Sequence, residues 1–198
     1  LAHDDHDTWS VGSFFLNPVV SDPPAGAPAW QLQDGRWKVS AAWLIEASGF
    51  PVAYLTGAGV ANTYLGVPDL GLATQGEMVA HITAVREAIG IPLIADGDTG
   101  FGNAINVQRT VRGLERAGAA MVQLEDQSFP KRCGHLDGKA LIPTQEMAGK
   151  IKAAVDARQS RETLIIARTD AVAVEGFDSA IARAVSVVLA WCSCPLQA

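Results

Sequence analysis

Cysteine, positive charge and uninterrupted apolar sequence are all scarce in this chain of 198 residues. Its three cysteines, Cys133, Cys192 and Cys194, are too few and odd in number for a disulfide framework, which points to a reducing compartment such as the cytoplasm. Lysine and arginine total 15 against 21 acids, for a formal charge of −6. Nucleic-acid surfaces need a basic face and membrane-surface anchors a basic cluster, so this balance argues against both partners. The longest largely apolar run, Ala184 to Cys194, is far short of the roughly 20 residues that span a bilayer. The acids Asp4, Asp5 and Asp7 near the start do not fit the basic opening of a secretory leader. With cations this sparse, the places where Lys and Arg do gather become informative.

What is present is ordinary globular material: 48% hydrophobic and 18% charged residues, enough for one core in a chain of this length. Residues 1–36 carry Pro18, Pro23, Pro24, Gly26 and Pro28 and no periodicity, and we expect a loosely ordered extension there. The His3/Asp4/His6 group fits a solvated tail better than a metal site. From residue 37 to 190 short apolar runs alternate with amphipathic stretches. Strands are expected at Val52–Thr56, Pro92–Asp96, Ala119–Glu125 and Thr163–Arg168. Thr74 and Glu77 form a capping box ahead of Met78, Ile82, Val85 and Ile89, and Gly90 stops that helix. Asn103 caps a helix with Val107, Val111 and Leu114 on one face; Thr144 and Asp178 open two more. Residues 191–198 form a divergent tail.

Strands and helices in alternation imply an α/β fold with a parallel sheet. Periodicity alone does not separate a (β/α) barrel from an open doubly wound sheet. Polar residues at the carboxyl ends of several different strands favour the barrel, which builds its site there. Asp96 and Asp98 end one strand and Glu125 and Asp126 the next. Residues two apart on a strand face the same way, so both aspartates can face one point and, with Glu125, give an oxygen-rich site suited to Mg²⁺. The competing reading is that these acids cap the turns that follow. The sharpest local signal is Lys131-Arg132-Cys133-Gly134-His135, where a thiol beside three basic residues is poised to exchange a proton. It lies in the stretch from Ser128 to Pro143, long enough for a lid; an incidental cysteine in a basic, solvated loop is the alternative.

Lys131-Arg132-Cys133-Gly134-His135 resembles the signature of isocitrate and methylisocitrate lyases. Five segments join it in that family's order and at about its spacing: Tyr54 to Gly59, Gly66 to Gly71, Asp96 to Gly102, Leu124 to Gln127, and Ala167 to Asp170. The chain is therefore identified as a member of the isocitrate lyase and phosphoenolpyruvate mutase superfamily from about residue 38 to about 184. The resemblance implies an eight-stranded TIM-type (β/α) barrel, here incomplete with about four to five of its eight units. It also implies Mg²⁺, with Mn²⁺ as a substitute, a small carboxylate substrate and a homo-oligomer. Carried over by position, it implies Asp96 as principal metal ligand with Asp69, Asp98 and Glu125 acting through waters. Thr56, Gly57 and Ala58 would hold a keto-acid carboxylate, and Arg168 a second substrate carboxylate. Cys133 would protonate the carbanion left by carbon–carbon cleavage, while Tyr54, Lys131 and His135 line or close the site. The implied activity is cleavage of a 2-hydroxy tricarboxylate such as 2-methylisocitrate to pyruvate and succinate. A carboxyvinyl-carboxyphosphonate phosphorylmutase and a truncated, non-catalytic relative are the alternatives. Two segments depart from the pattern: Trp37 to Ala42, where the first barrel strand leads on, and Val188 to Pro195, after which the family continues for roughly a hundred residues.

Overall fold

The computed structural model describes residues 17–134 and 136–192. His135, the His3/Asp4/His6 group and Cys194 lie outside the described residues. Two sheets form. The first is a small antiparallel one of β1 (Val19–Val20), β2 (Ala29–Gln31) and β3 (Trp37–Val39), in the order β1-β3-β2. Much of it falls in the region expected to be loosely ordered, and that expectation is corrected from residue 17 onward. Its strands are two or three residues long, too short to print an alternating pattern. The prolines serve only as acceptors: the Pro24 carbonyl closes a turn onto Ala27 at 3.0 Å, and the Pro18 and Pro28 carbonyls take the Val39 and Ser40 N–H groups at 2.9 and 3.0 Å.

The second sheet is parallel and consists of β4 (Ala53–Leu55), β5 (Leu93–Asp96), β6 (Met121–Glu125) and β7 (Leu164–Arg168), adjacent in chain order. All four coincide with expected strands. Trp37–Val39 is a strand as well, but it pairs in the antiparallel sheet, so the parallel sheet has four members rather than five.

Helices cover one face of this sheet. Ser40 caps α1 (Ala41–Ala47), accepting the Trp43 N–H at 3.3 Å. After β4 come α2 (Gly57–Val60) and a π-turn, Ala61–Leu65, ended by left-handed Gly66. Thr74 and Glu77 cap each other at the start of α3 (Gln75–Ala88), as the sequence pattern predicts. Asn103 and Asn106 do the same for α4 (Ala104–Arg116). Next are α5 (Thr144–Ala157), the short α6 (Ala171–Val174) and α7 (Phe177–Cys192). The divergent tail expected from residue 191 thus begins as the last turn of α7.

Helices α3, α4 and α5 pack on β5, β6 and β7, and α3, α4, α5 and α7 lie side by side. One layer of helices over strands in unbroken sequential order is half of a barrel; a doubly wound sheet would reverse its order and carry helices on both faces. The core is the seam between the layers. Leu93, Ala95, Val122 and Leu124 from the strands meet Met78, Ile82, Val107, Val111, Leu114 and Ile151 from the helices, all buried. Because strand side chains alternate, the intervening residues Tyr54, Ile94, Asp96, Met121, Gln123, Glu125, Ile166 and Arg168 belong to the opposite, barrel-interior face. Among the described residues no helix is long and apolar enough to cross a membrane.

Candidate active site

The interior face carries the site at the carboxyl ends of the strands. Asp96 is the last residue of β5 and Glu125 the last of β6. Asp98 is brought in by a different route from the one the spacing implies. The strand has already ended, and Asp98 takes a left-handed backbone at φ 52°, which costs a non-glycine residue about 1–3 kcal/mol unless its surroundings hold it. The hold is visible: its N–H donates to Asp96 Oδ1 at 2.9 Å and its carbonyl accepts the Glu125 N–H at 2.9 Å. Gly97 makes this possible. A Cβ there would stand 2.7 Å from the Gln123 carbonyl oxygen, the same oxygen that the Gly97 N–H reaches at 2.7 Å.

Lys131 binds the cluster together. Its ammonium is 2.8 Å from Asp69 Oδ2 and 3.2 Å from Asp98 Oδ2, and the residue is only 4% exposed. Burial opposes its charge, but Asp98, Asp69 and Glu125 outweigh burial and hold its pKa above the usual lysine range. Glu125 feels the same setting with the opposite outcome. Burial pushes its carboxyl up to about 8, against the pull of Lys131 and Arg168. Its Oε2 lies 3.5 Å from Arg168 Nη1, whereas Oε1 is buried with no hydrogen-bond partner. Asp98 is likewise raised, chiefly by burial. Arg168 also faces Asp170, with Nη2 3.4 Å from Oδ1, and keeps about a third of its side chain open.

Tyr54 and Thr56 close the β4 side. The Tyr54 hydroxyl accepts from Gln123 Nε2 at 2.9 Å, and burial, then Asp96, keeps the phenol protonated. Gly57 donates its N–H to Asp96 Oδ2 at 2.8 Å, and a Cβ on it would sit 3.2 Å from that oxygen. Thr56 and Ala58 flank it at the start of α2; Thr56 makes no side-chain cap bond there. The loop carrying Lys131 and Cys133 is pinned at several points. The Cys133 N–H donates to the Asp69 carbonyl at 3.1 Å, and the Ser128 N–H to Ala140 at 2.8 Å. Lys139 bonds the Gly134 and Leu136 carbonyls, and Arg132 Nη1 the Asp137 carbonyl.

Of the expected site residues, the structure thus brings Asp69, Asp96, Asp98, Glu125, Lys131, Arg168, Tyr54 and Gly57 into one neighbourhood, with Thr56, Ala58 and Cys133 at its margin. Asp126 departs from the group of strand-end acids. One residue past Glu125, it points to the other side. There it accepts from Thr169 Oγ1 at 2.6 Å, the Asp170 N–H at 3.1 Å and Arg183 Nε at 3.1 Å. It is a structural brace between β6, β7 and α7. Gln123, Gln127 and Asp170 contribute as well, although no motif role singles them out; Gln127 is marked by its burial, and Gln123 and Asp170 by their bonds to Tyr54, Gln127 and Arg168.

Hard oxygen donors and an orphaned, buried carboxylate oxygen fit a cation such as Mg²⁺. Among the described residues no three His, Cys, Asp or Glu side chains form a ready-made ligand set.

The sequence profile described as phosphoenolpyruvate phosphomutase matches residues 35–190. The chain is similar to a 2,3-dimethylmalate lyase of Eubacterium barkeri, 52% identical over 149 residues, covering 75% of this chain and 52% of that protein. A 2-methylisocitrate lyase of Aeropyrum pernix is 53% identical over 150 residues, covering 76% and 48%. Among solved structures, a 2,3-dimethylmalate lyase superposes with TM-score 0.72 at 39% identity, covering 76% of this chain and 51% of that one. A phosphonopyruvate hydrolase in complex with oxalate and Mg²⁺ gives TM-score 0.69 at 36% identity, covering 75% and 51%. The chain spans about half the length of the curated relatives it matches.

Proposed function

The chain belongs to the phosphoenolpyruvate phosphomutase family, and from that premise we propose that it acts as a Mg²⁺-dependent carbon–carbon lyase. Its substrate would be a 2-hydroxy tricarboxylate of the 2-methylisocitrate kind, its products pyruvate and succinate. The observation that carries the reading is the buried cluster of Asp69, Asp98 and Lys131, next to Glu125 and Arg168, with the Cys133 backbone fastened to Asp69.

Asp96 would hold Mg²⁺ directly, with Asp69, Asp98 and Glu125 acting through waters. When bound, the ion would supply Lewis acidity at the 2-hydroxyl and the neighbouring carboxylate. The chain's own residues do the rest. Thr56, Gly57 and Ala58 offer hydroxyl and N–H donors at the start of α2 for the keto-acid carboxylate; the Gly57 N–H, spent on Asp96 here, would be exchanged for it. Arg168 retains open donors for a second carboxylate, and its planar fork matches that group. Loss of the 2-hydroxyl proton to solvent lets its oxygen form the C=O bond while the adjacent C–C pair leaves with the succinate carbon. That carbon takes the proton of the Cys133 thiol, and the resulting thiolate recovers a proton from solvent. Lys131 keeps positive charge between Asp69 and Asp98, and the loop it sits in would cover the site. A reducing compartment such as the cytoplasm suits a catalytic thiol.

Pyruvate release from 2-methylisocitrate with Mg²⁺ is the direct test, together with a thermal shift on adding Mg²⁺ that Asp96→Ala abolishes. Turnover of a phosphonate substrate in place of cleavage would move the chain to the mutase branch. A folded protein that shows the Mg²⁺ shift yet turns over neither would favour a non-catalytic relative. The observation on that side is that, among the described residues, β4 and β7 each pair with one neighbouring strand only.

A further inference from the structure

Gln127 has no part in the chemistry above, yet its side chain is 1% exposed and fully engaged. Its Oε1 accepts the Arg132 N–H at 2.9 Å. Its Nε2 donates to the Arg132 carbonyl at 2.9 Å and to Asp170 Oδ2 at 2.9 Å. The Gln127 backbone meanwhile pairs with Leu141 in an isolated antiparallel bridge. The bridge closes the neck of the loop, and the amide spans its inside. These contacts fix which way the amide faces. Turning it over would set NH₂ against an N–H, and the oxygen against a carbonyl and a carboxylate.

The target matters more than the number of bonds. Arg132 stands between Lys131, whose ammonium joins Asp69 to Asp98, and Cys133, whose N–H is held by Asp69. Capturing both the N–H and the C=O of one residue is what a neighbouring strand does in a sheet. Here one side chain does it, so Arg132 is held in position and tilt. The third contact reaches Asp170, whose carboxylate also receives Arg168. Loop and β7 tip are thereby tied to one group.

We propose that Gln127 is a positioning residue. Its amide sets the Lys131–Cys133 segment over the carboxylate cluster and couples that segment to Arg168 through Asp170. What the segment is positioned for rests on the lyase reading; the clamp itself does not.

The test uses the full chain carrying Cys192→Ser and Cys194→Ser, so that Cys133 is the sole thiol, with Gln127→Glu and Gln127→Leu compared against it. The glutamate is near-isosteric and sets an oxygen against the Arg132 carbonyl and Asp170; the leucine removes every polar contact. Three quantities are measured: amide hydrogen exchange at Arg132 and Cys133, the rate of Cys133 alkylation by iodoacetamide, and pyruvate-release kinetics. Both variants should exchange the Arg132 and Cys133 amides about tenfold faster, as loss of one or two net hydrogen bonds predicts, with β5 amides unchanged. Alkylation should quicken severalfold, and kcat should fall about tenfold or more with KM nearly constant, since misplaced reacting groups cost rate rather than binding. Unchanged Arg132 exchange and unchanged alkylation in Gln127→Glu would overturn the clamp. So would exchange that rises equally in β5, the mark of a bulk folding role. Absence of pyruvate release in the parent chain would count against the lyase reading alone, leaving exchange and alkylation to decide the clamp.

Discussion

Replacing Glu125 by glutamine removes a group that burial forces to keep its proton. In the folded, metal-free chain its pKa rises from an ordinary 4.5 to about 8, while in the unfolded chain it titrates normally. Native protein therefore holds a proton at Glu125 that unfolded protein releases. The sign follows: the contribution to stability is fully present below about pH 4.5 and is lost as pH rises towards 8. At about 1.4 kcal/mol per pH unit, the whole interval corresponds to roughly 5 kcal/mol, a large part of a typical domain's stability. Glu125→Gln cannot lose that proton. Urea unfolding in the presence of a chelator at pH 5.5, 6.5 and 7.5 isolates the effect, because other titrating groups cancel between the two proteins. The parent should lose about 1.4 kcal/mol per pH unit relative to the variant across this window. Saturating Mg²⁺ should flatten the difference, since a cation at the cluster favours the carboxylate and expels the proton. Parallel stability profiles for parent and variant in chelator would refute the claim that Glu125 is buried without adequate compensation.

Two further substitutions separate the interior face of the sheet from its outer layer. Lys131→Met strands Asp69 and Asp98 in a buried site, which should cost about 3–5 kcal/mol; millimolar Mg²⁺ should restore part of it, read as a larger Mg²⁺-dependent shift in Tm than in the parent. Asp126→Ala leaves the buried Arg183 with Glu175, 3.6 Å away, as its remaining carboxylate and frees Thr169 and the Asp170 N–H, for about 2–4 kcal/mol in urea. Unlike Lys131→Met, it should leave the size of the Mg²⁺ shift unchanged.

The parallel sheet was legible because its strands are continuous apolar runs bounded by turn residues, as at Pro92 before Leu93–Asp96. The Thr74–Glu77 capping box and the Asn103 cap could be foreseen for a similar reason: they are local chemistry, two or three residues from donor to acceptor; the return bond from Asn106 was not foreseen. The antiparallel sheet was not legible. A strand of two residues has no period, and the pairing of Trp37 with both Val20 and Gln31 is a tertiary fact. The same limit hid Gln127 and Lys150, polar residues that composition assigns to the surface. In the folded chain Lys150 is 5% exposed and donates to the Thr99 carbonyl at 3.0 Å.

The candidate site shows where strand alternation serves as a guide and where it does not. Carried one residue past the end of β6, alternation separates Glu125 from Asp126: the first faces the barrel interior, while the second meets Thr169, the Asp170 N–H and Arg183. Applied to Asp96 and Asp98, it gives a true result for a false reason. The second aspartate is off the strand, turned left-handed at φ 52°, and arrives beside the first only because Gly97 lets the backbone press against the β6 carbonyl of Gln123. A turn of this kind is more demanding than a strand. It needs a residue without a Cβ at 97, the Glu125 N–H on the Asp98 carbonyl, and Lys131 on the Asp98 carboxylate. The geometry of the acids therefore depends on β6 and on the Lys131 loop as much as on their own sequence. A fragment containing only the Asp-Gly-Asp segment and β5 would not reproduce it.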